Sequence, residues 1–248
     1  MHLFKCGGTS VAQAIQTCYL DLNITNRSPI FRLNVGAASN ALNKFICSSN
    51  SAVTQLDAKH LNQKLREYLI LYYMSQDNTR YIAGHFSFSE TIYQNYSNQY
   101  AFITVLRDPV ERYISAYLYQ RYRNRKLDLE IVDYLESEAG QNAGSFYTRN
   151  LSGYENVEEC DSKKASKRAK QNLHKFKIVG CLEYQSEFLN QFEEKFSRRL
   201  KLRVFNRSPK AVQKHNFTVD KSTRQKIIAI CQSDLEIYQY AIDNFVKA

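Results

Sequence analysis

A run of β-branched and aromatic residues at 100–106, Tyr-Ala-Phe-Ile-Thr-Val-Leu, ends at Arg107 and gives way at once to Asp108-Pro109-Val110-Glu111. The run has the length and composition of a buried strand. Asp108 suits a helix N-cap, Pro109 the first helical position, and Glu111 completes an acidic variant of the capping box. A strand therefore stops and a helix starts at one residue, Arg107. Such a junction belongs to α/β architecture, where ligands collect at the carboxyl ends of strands. Arg107 then stands at the end of the strand and Ser115 about two turns into the helix. A guanidinium fork and a hydroxyl so spaced can close on one phosphate. Equally, Arg107 can pair with Asp108 or Glu111.

The start of the chain, His2-Leu3-Phe4-Lys5-Cys6-Gly7-Gly8-Thr9-Ser10, leads into the helical run Val11-Ala12-Gln13-Ala14-Ile15. Glycines let backbone approach a phosphate, and a helix starting there aims its free amides and positive dipole end at the anion. Lys5 adds a full charge; Thr9 and Ser10 add hydroxyl donors. The order differs from the ATPase loop, which places its lysine after the last glycine. Alternatively, the segment is an ordinary helix start capped by Thr9 or Ser10.

Together the two segments resemble the cofactor signature of the carbohydrate sulfotransferases, the group that includes the heparan sulfate 2-O and 6-O enzymes and many bacterial relatives. That family's first motif reads close to His-Ile-Pro-Lys-Thr-Gly-Gly-Thr-Ser and its second close to Leu-Arg-Asp-Pro-Val-Glu-Arg-Tyr-Leu-Ser-x-Tyr. Gly84-His85-Phe86, Asn150-Leu151-Ser152-Gly153, Phe176-Lys177-Ile178-Val179-Gly180-Cys181-Leu182-Glu183 and the tail from Asp234 to Ala241 agree in family order. The resemblance implies a P-loop-like, three-layer α/β fold with a central parallel sheet flanked by helices. It also implies 3′-phosphoadenosine 5′-phosphosulfate (PAPS) as co-substrate, PAP as product, and a hydroxyl acceptor, most commonly on a carbohydrate. Lys5, Gly7, Gly8, Thr9 and Ser10 fall at the 5′-phosphate, Arg107 and Ser115 at the 3′-phosphate, and His85 at the general base, with Lys5 aiding departure of the phosphate and Glu90 the substitute base. No metal is required by this scheme. Phe4 stands where the family has Pro and Cys6 where it usually has Thr, so the expectation is one hydroxyl donor to the cofactor fewer. Only three residues lead into the turn, which implies either that residues before Met1 are missing or that the first strand is very short.

A chain of 248 residues with 44% hydrophobic residues can bury a core as one α/β domain over residues 1–248. The net charge of +10 asks for an anionic partner. Arg121, Arg123, Arg125 and Lys126 form one basic cluster, interleaved by Tyr117, Tyr119 and Tyr122; Lys163, Lys164, Lys167, Arg168 and Lys170 form another. Such runs are either solvated helix faces or seats for an acidic glycan. A nucleic-acid-binding protein would explain the charge but not the two-part motif, and a nucleotide kinase would require a P-loop motif that the sequence lacks. A noncatalytic glycan- or nucleotide-binding module retaining the pocket is the alternative to an enzyme.

No apolar stretch is long enough to cross a bilayer. Six Asn-x-Ser/Thr triplets suit a secreted or Golgi-lumenal chain, while a bacterial chain would be cytoplasmic. Six cysteines are scattered with no CxxC pair, indicating neither a zinc site nor a disulfide framework.

Further along, residues 23–51, rich in Asn and Ser, read as an irregular loop. Residues 58–74 read as an amphipathic helix with Leu56, Leu61, Leu65 and Leu69 in the core. Strands are expected at 80–84, 176–180 and 202–205, and a helix at 185–196.

Overall fold

The computed structural model describes residues 1, 3–20, 30–48, 55–123, 127–154, 162–202 and 217–247. In chain order these form α1 (Gly8–Leu20), β1 (Ile30–Leu33), α2 (Val35–Ser48), α3 (Gln55–Met74), β2 (Tyr81–Gly84), α4 (Glu90–Tyr96), β3 (Ile103–Leu106) and α5 (Pro109–Leu118). A π-helical turn, Tyr119–Arg123, extends α5. There follow α6 (Ile131–Glu136), α7 (Glu138–Gly144), α8 (Phe146–Leu151), α9 (Ser162–Leu173), β4 (Ile178–Cys181), α10 (Gln185–Phe196), α11 (Lys221–Ile230) and α12 (Gln232–Ala241).

The expected α/β class and parallel pairing hold, in a chain that is mostly helical. Among the described residues the strands stand as two parallel pairs rather than one continuous sheet. β1 pairs with β2 from Ile30↔Tyr81 to Leu33↔Gly84, and β3 pairs with β4 from Ile103↔Ile178 to Leu106↔Cys181. Between the pairs runs a cleft of about 1070 Å³ bounded by Tyr81, Ile82 and Ala83 on one side and Ile103, Thr104 and Val105 on the other. The Met1 nitrogen donates to the Ile103 carbonyl at 2.8 Å, so the first residue lies along β3. Leu3 is irregular and Phe4 to Gly7 form a turn, so the described part of the expected leading strand has no strand structure.

Every residue of β4 is buried, as befits a strand covered on both faces. One core joins Leu106 and Val179 to Tyr147 and Leu151 of α8 and Ile237 and Ala241 of α12. A second packs Val105 and Ile178 between Val11, Ala14 and Ile15 of α1 and Phe188 and Phe192 of α10. Helices thus lie over the β3–β4 pair and fix where its carboxyl ends emerge.

Part of the stretch expected to be loop is structured. Its Asn34 accepts the Ala37 amide on Oδ1 at 3.0 Å, capping α2, and Asn62 of α3 donates to Ser39 at 2.8 Å. Asn here starts a helix rather than excluding one, and the apolar Ile30–Leu33 supplies the strand. In α3 the core positions are Ile70 and Met74, whereas Leu61 is 39% exposed. The helical period is as read, but the buried stripe lies one residue round from the leucines; the side chain of Leu56 lies outside the described residues. Helix α10 matches its expected bounds, and the expected strand at 202–205 falls almost wholly outside the described residues.

Candidate active site

The first segment forms a turn of unusual backbone. Lys5 has φ +66° and Gly7 φ +73°. At Gly7 the left-handed conformation and space both matter: a Cβ there would sit 2.6 Å from Leu182 Cδ1. Helix α1 opens at Gly8, so Thr9 and Ser10 belong to its first turn rather than capping it. The Ser10 and Val11 amides donate back to the Gly7 carbonyl, at 3.0 and 3.3 Å. Gly8 and Thr9, as the first residues of α1, have no helix carbonyl four residues back for their amides.

Cys6 does not face that mouth. It is fully buried, its thiol 3.3 Å from the Tyr147 hydroxyl, and burial pushes the thiol up to about 11. At this position, where one hydroxyl donor to a cofactor was expected to be missing, the side chain instead packs the turn onto the core.

The same Tyr147 hydroxyl holds the second segment. It donates to the Arg107 carbonyl at 2.6 Å and accepts the Arg107 amide at 2.9 Å. Tyr147 is itself fixed by Asp234 of α12, whose carboxylate accepts the Tyr147 and Thr148 amides at 2.7 and 2.9 Å and so caps α8. Beside it the Arg112 guanidinium, buried, lies 4.5 Å over the Phe146 ring and donates to the Ala143 carbonyl. Burial raises the Asp234 carboxyl to about 6 against the opposing pull of Arg112 and the two amides.

Asp108 caps α5 as expected, accepting the Glu111 amide at 2.9 Å. The capping box does not close. The Asp108 amide goes to Glu183 at 3.0 Å, Glu183 also accepts the Tyr238 hydroxyl at 2.6 Å, and Glu111 pairs with Arg224 at 2.7 Å. The two carboxylates that could have claimed Arg107 are thus engaged elsewhere, and among the described residues Arg107 forms no ion pair. Its guanidinium instead donates to the Lys5 carbonyl at 3.4 Å, joining the two segments directly. Ser115 stands half-buried on α5, the helix that follows Arg107.

Around the turn lies an aromatic wall. Lys5 Nζ sits 4.6 Å over the Tyr119 ring, and the Phe4 ring meets Tyr119 and His85 edge-on at 5.3 and 5.7 Å. Phe4, the departure from the family's Pro, therefore links the lysine turn to the histidine at the end of β2. Burial, then Arg107 and Arg123, push the Lys5 pKa down. Beyond burial, the two guanidiniums thus add positive potential beside Lys5. Tyr119 was legible only as one of three aromatics between basic residues; of the others, Tyr117 is wholly buried and donates to the Leu129 carbonyl. Arg121 pairs with Glu130, while Arg125 and Lys126 lie outside the described residues.

Glu90 opens α4 and pairs with Lys175 at 2.6 Å. The stretch after His85 meets the Asn150 stretch: the Phe88 amide donates to the Asn150 carbonyl at 2.7 Å and Ser87 to its side chain at 3.1 Å. Among the described residues no His, Cys, Asp and Glu cluster could hold a metal ion, and no helix is long and apolar enough to cross a membrane.

Tyr147, Leu182 and Glu183 are the supporting residues that the sequence alone did not mark as such. Leu182 and Glu183 lay within a stretch matched to the family, but Tyr147, a lone tyrosine in a helical region, carries no signal by spacing.

A sequence model of the sulfotransferase family matches residues 4–241. Among characterised proteins, heparan-sulfate 6-O-sulfotransferase 2 of Gallus gallus is 26% identical over 186 residues, covering 61% of this chain and 45% of the relative. The chain thus spans less than half the length of that relative. The match from the lysine turn to the closing helix, over the residues that the geometry joins, places this chain in the sulfotransferase family.

Proposed function

We propose that this chain, acting as one domain over residues 1–248, transfers a sulfuryl group from PAPS to a hydroxyl of a carbohydrate acceptor. The observation that carries the reading is the Arg107–Lys5 junction: a guanidinium without an ion-pair partner among the described residues, held against a turn that offers a lysine and helix-opening amides. A bisphosphate nucleotide fits this donor set. Lys5 with the Gly7-Gly8-Thr9-Ser10 backbone would hold the 5′-phosphate end, and Arg107 with Ser115 the 3′-phosphate. When bound, PAPS supplies a sulfuryl group already activated on a phosphate leaving group.

Lys5 and the Gly8 and Thr9 amides concentrate positive charge where negative charge develops on the departing phosphate oxygen. Electrostatic placement of this kind is commonly the largest catalytic contribution, loss of one donor costing on the order of 100-fold. His85 accepts the proton of the acceptor hydroxyl, since imidazole titrates near operating pH. The engagement of Glu90 with Lys175 supports His85 over Glu90 in that role. A central sheet would follow if a further strand filled the cleft between β2 and β3.

The test is transfer of labelled sulfate from PAPS to a panel of glycans. The reading expects transfer by the parent and none by His85→Ala with PAP binding intact. Equal turnover by His85→Ala would remove the base, and no transfer to any glycan by a PAP-binding parent would remove the carbohydrate acceptor.

A further inference from the structure

Ser115, Tyr119 and Arg123 are spaced four apart along α5 and its π-helical extension. Four residues of α-helix overshoot a full turn by about 40°, so a second such step would swing Arg123 well off the face that carries the other two. The π-helical turn at Tyr119–Arg123 carries more residues per turn and takes that overshoot back. One ring, Tyr119, consequently meets two cations: Lys5 Nζ lies 4.6 Å and the Arg123 guanidinium carbon 5.6 Å from its centroid. The ring is braced by Phe4, which meets it edge-on at 5.3 Å and whose own centroid is 5.9 Å from Lys5 Nζ, near the outer limit of a cation–π contact. The neighbouring Arg121 is answered by Glu130, whereas neither Lys5 nor Arg123 forms an ion pair among the described residues. Lys5 also holds φ +66°, a left-handed backbone that a residue with a Cβ keeps only where its surroundings fix it. Two like charges would ordinarily separate into water; here the turn holds one and the helix the other against a single ring.

We propose that Tyr119 is a positioning residue for Lys5: its ring seats the ammonium beside the turn, and Arg123, an exposed cation on the same ring, opposes its swinging outward, so that the charge meets the 5′-phosphate already in place. This rests on the nucleotide reading above and adds to it the pair of residues that orders the lysine in advance. A long side chain ordered beforehand loses less freedom when the anion arrives. The charged groups that face Lys5 are Arg107 from the end of β3 and Arg123 from the π-helical turn, and both, after burial, lower its pKa. The Tyr119 phenol is the titratable group in contact with it, and His85 stands beyond Phe4.

The test uses the full chain, calorimetric titration with PAP and with inorganic pyrophosphate, and NMR of lysine-labelled protein in which the Lys5 signal is assigned by its loss in Lys5→Arg. A methylene held over a ring face resonates upfield, so the Lys5 ε-methylene should do so in the parent and move back toward the ordinary lysine position in Tyr119→Leu. Affinity for both probes should fall about threefold to thirtyfold in Tyr119→Leu, the range that a cation–π contact is worth, and Tyr119→Phe, which keeps the ring, should restore it. Arg123→Gln, an exposed change, keeps the test valid if Tyr119→Leu fails to fold: removing the like charge lets Lys5 hold its proton longer, so the alkaline limit of binding should move to higher pH. Parental affinity in a folded Tyr119→Leu, an unmoved alkaline limit in Arg123→Gln, or an ordinary Lys5 signal in the parent would overturn the proposal. Pyrophosphate binding that depends on Tyr119 in a parent that binds no PAP would overturn the nucleotide reading and leave the proposal standing. No binding of either probe by a folded parent would overturn both.

Discussion

The hydroxyl of Tyr147 grips both backbone polar groups of Arg107, donating to its carbonyl at 2.6 Å and accepting from its amide at 2.9 Å, while the Cys6 thiol lies 3.3 Å away. One buried oxygen thereby fixes the turn that carries Lys5 and the strand end that carries Arg107. Tyr147→Phe removes it with little change of shape and should cost about 1–3 kcal/mol of stability, the usual range for orphaning buried backbone groups. PAP affinity should fall with it, because the guanidinium loses its anchor. Thermal denaturation and calorimetry on the same sample check both; a destabilised variant with parental PAP affinity would confine Tyr147 to a structural role.

Gly7 should tolerate no side chain. Gly7→Ala forces a φ of +73° on a residue with a Cβ and drives that Cβ to 2.6 Å from Leu182. A loss of about 1–3 kcal/mol is expected. Adding Leu182→Ala relieves the contact but not the backbone strain, so denaturant melts of the double variant should show no recovery of the strain component.

These two positions mark what the sequence made legible and what it did not. The Arg107 junction and the Asp108 cap follow from local propensity, since each depends on neighbours within a few residues, and both appear where expected. The turn that leads into a helix after Lys5 was legible for the same reason. Tyr147, Asp234 and Glu183 act across 40 to 87 positions, a separation that no spacing rule spans. Cys6 was read from its place in a motif, whereas its burial, which decides which way the side chain faces, depends on packing against Tyr147. The stretch containing α2 was misread because Asn and Ser favour turns and helix caps alike, and only packing against α3 selects between them.

Asp234 should give the protein a pH signature. Its carboxyl titrates near 6 in the fold against 3.8 ordinarily. The folded state therefore keeps a proton that the unfolded chain has released, and this group's contribution is full below about pH 4 and lost as pH rises through about 6. Urea melts of the parent and Asp234→Asn across that window should show the parent losing stability relative to the variant; a constant difference would place the carboxylate charged throughout.

Glu90 should be dispensable for turnover. Its pairing with Lys175 is partly exposed, so Glu90→Gln should cost no more than about 1 kcal/mol. Sulfate transfer should persist in Glu90→Gln at a rate near the parent's. Loss of transfer with PAP binding retained would move the base from His85 to Glu90.

Calorimetric titration of the parent and of Arg107→Ala with PAP tests the central claim, that the Lys5 turn and Arg107 form one nucleotide site. The account predicts one PAP per chain for the parent and a loss of at least about 100-fold in affinity for the variant, from a fork of charged hydrogen bonds removed at once. No PAP binding by a folded parent, or equal binding by both proteins, would contradict it.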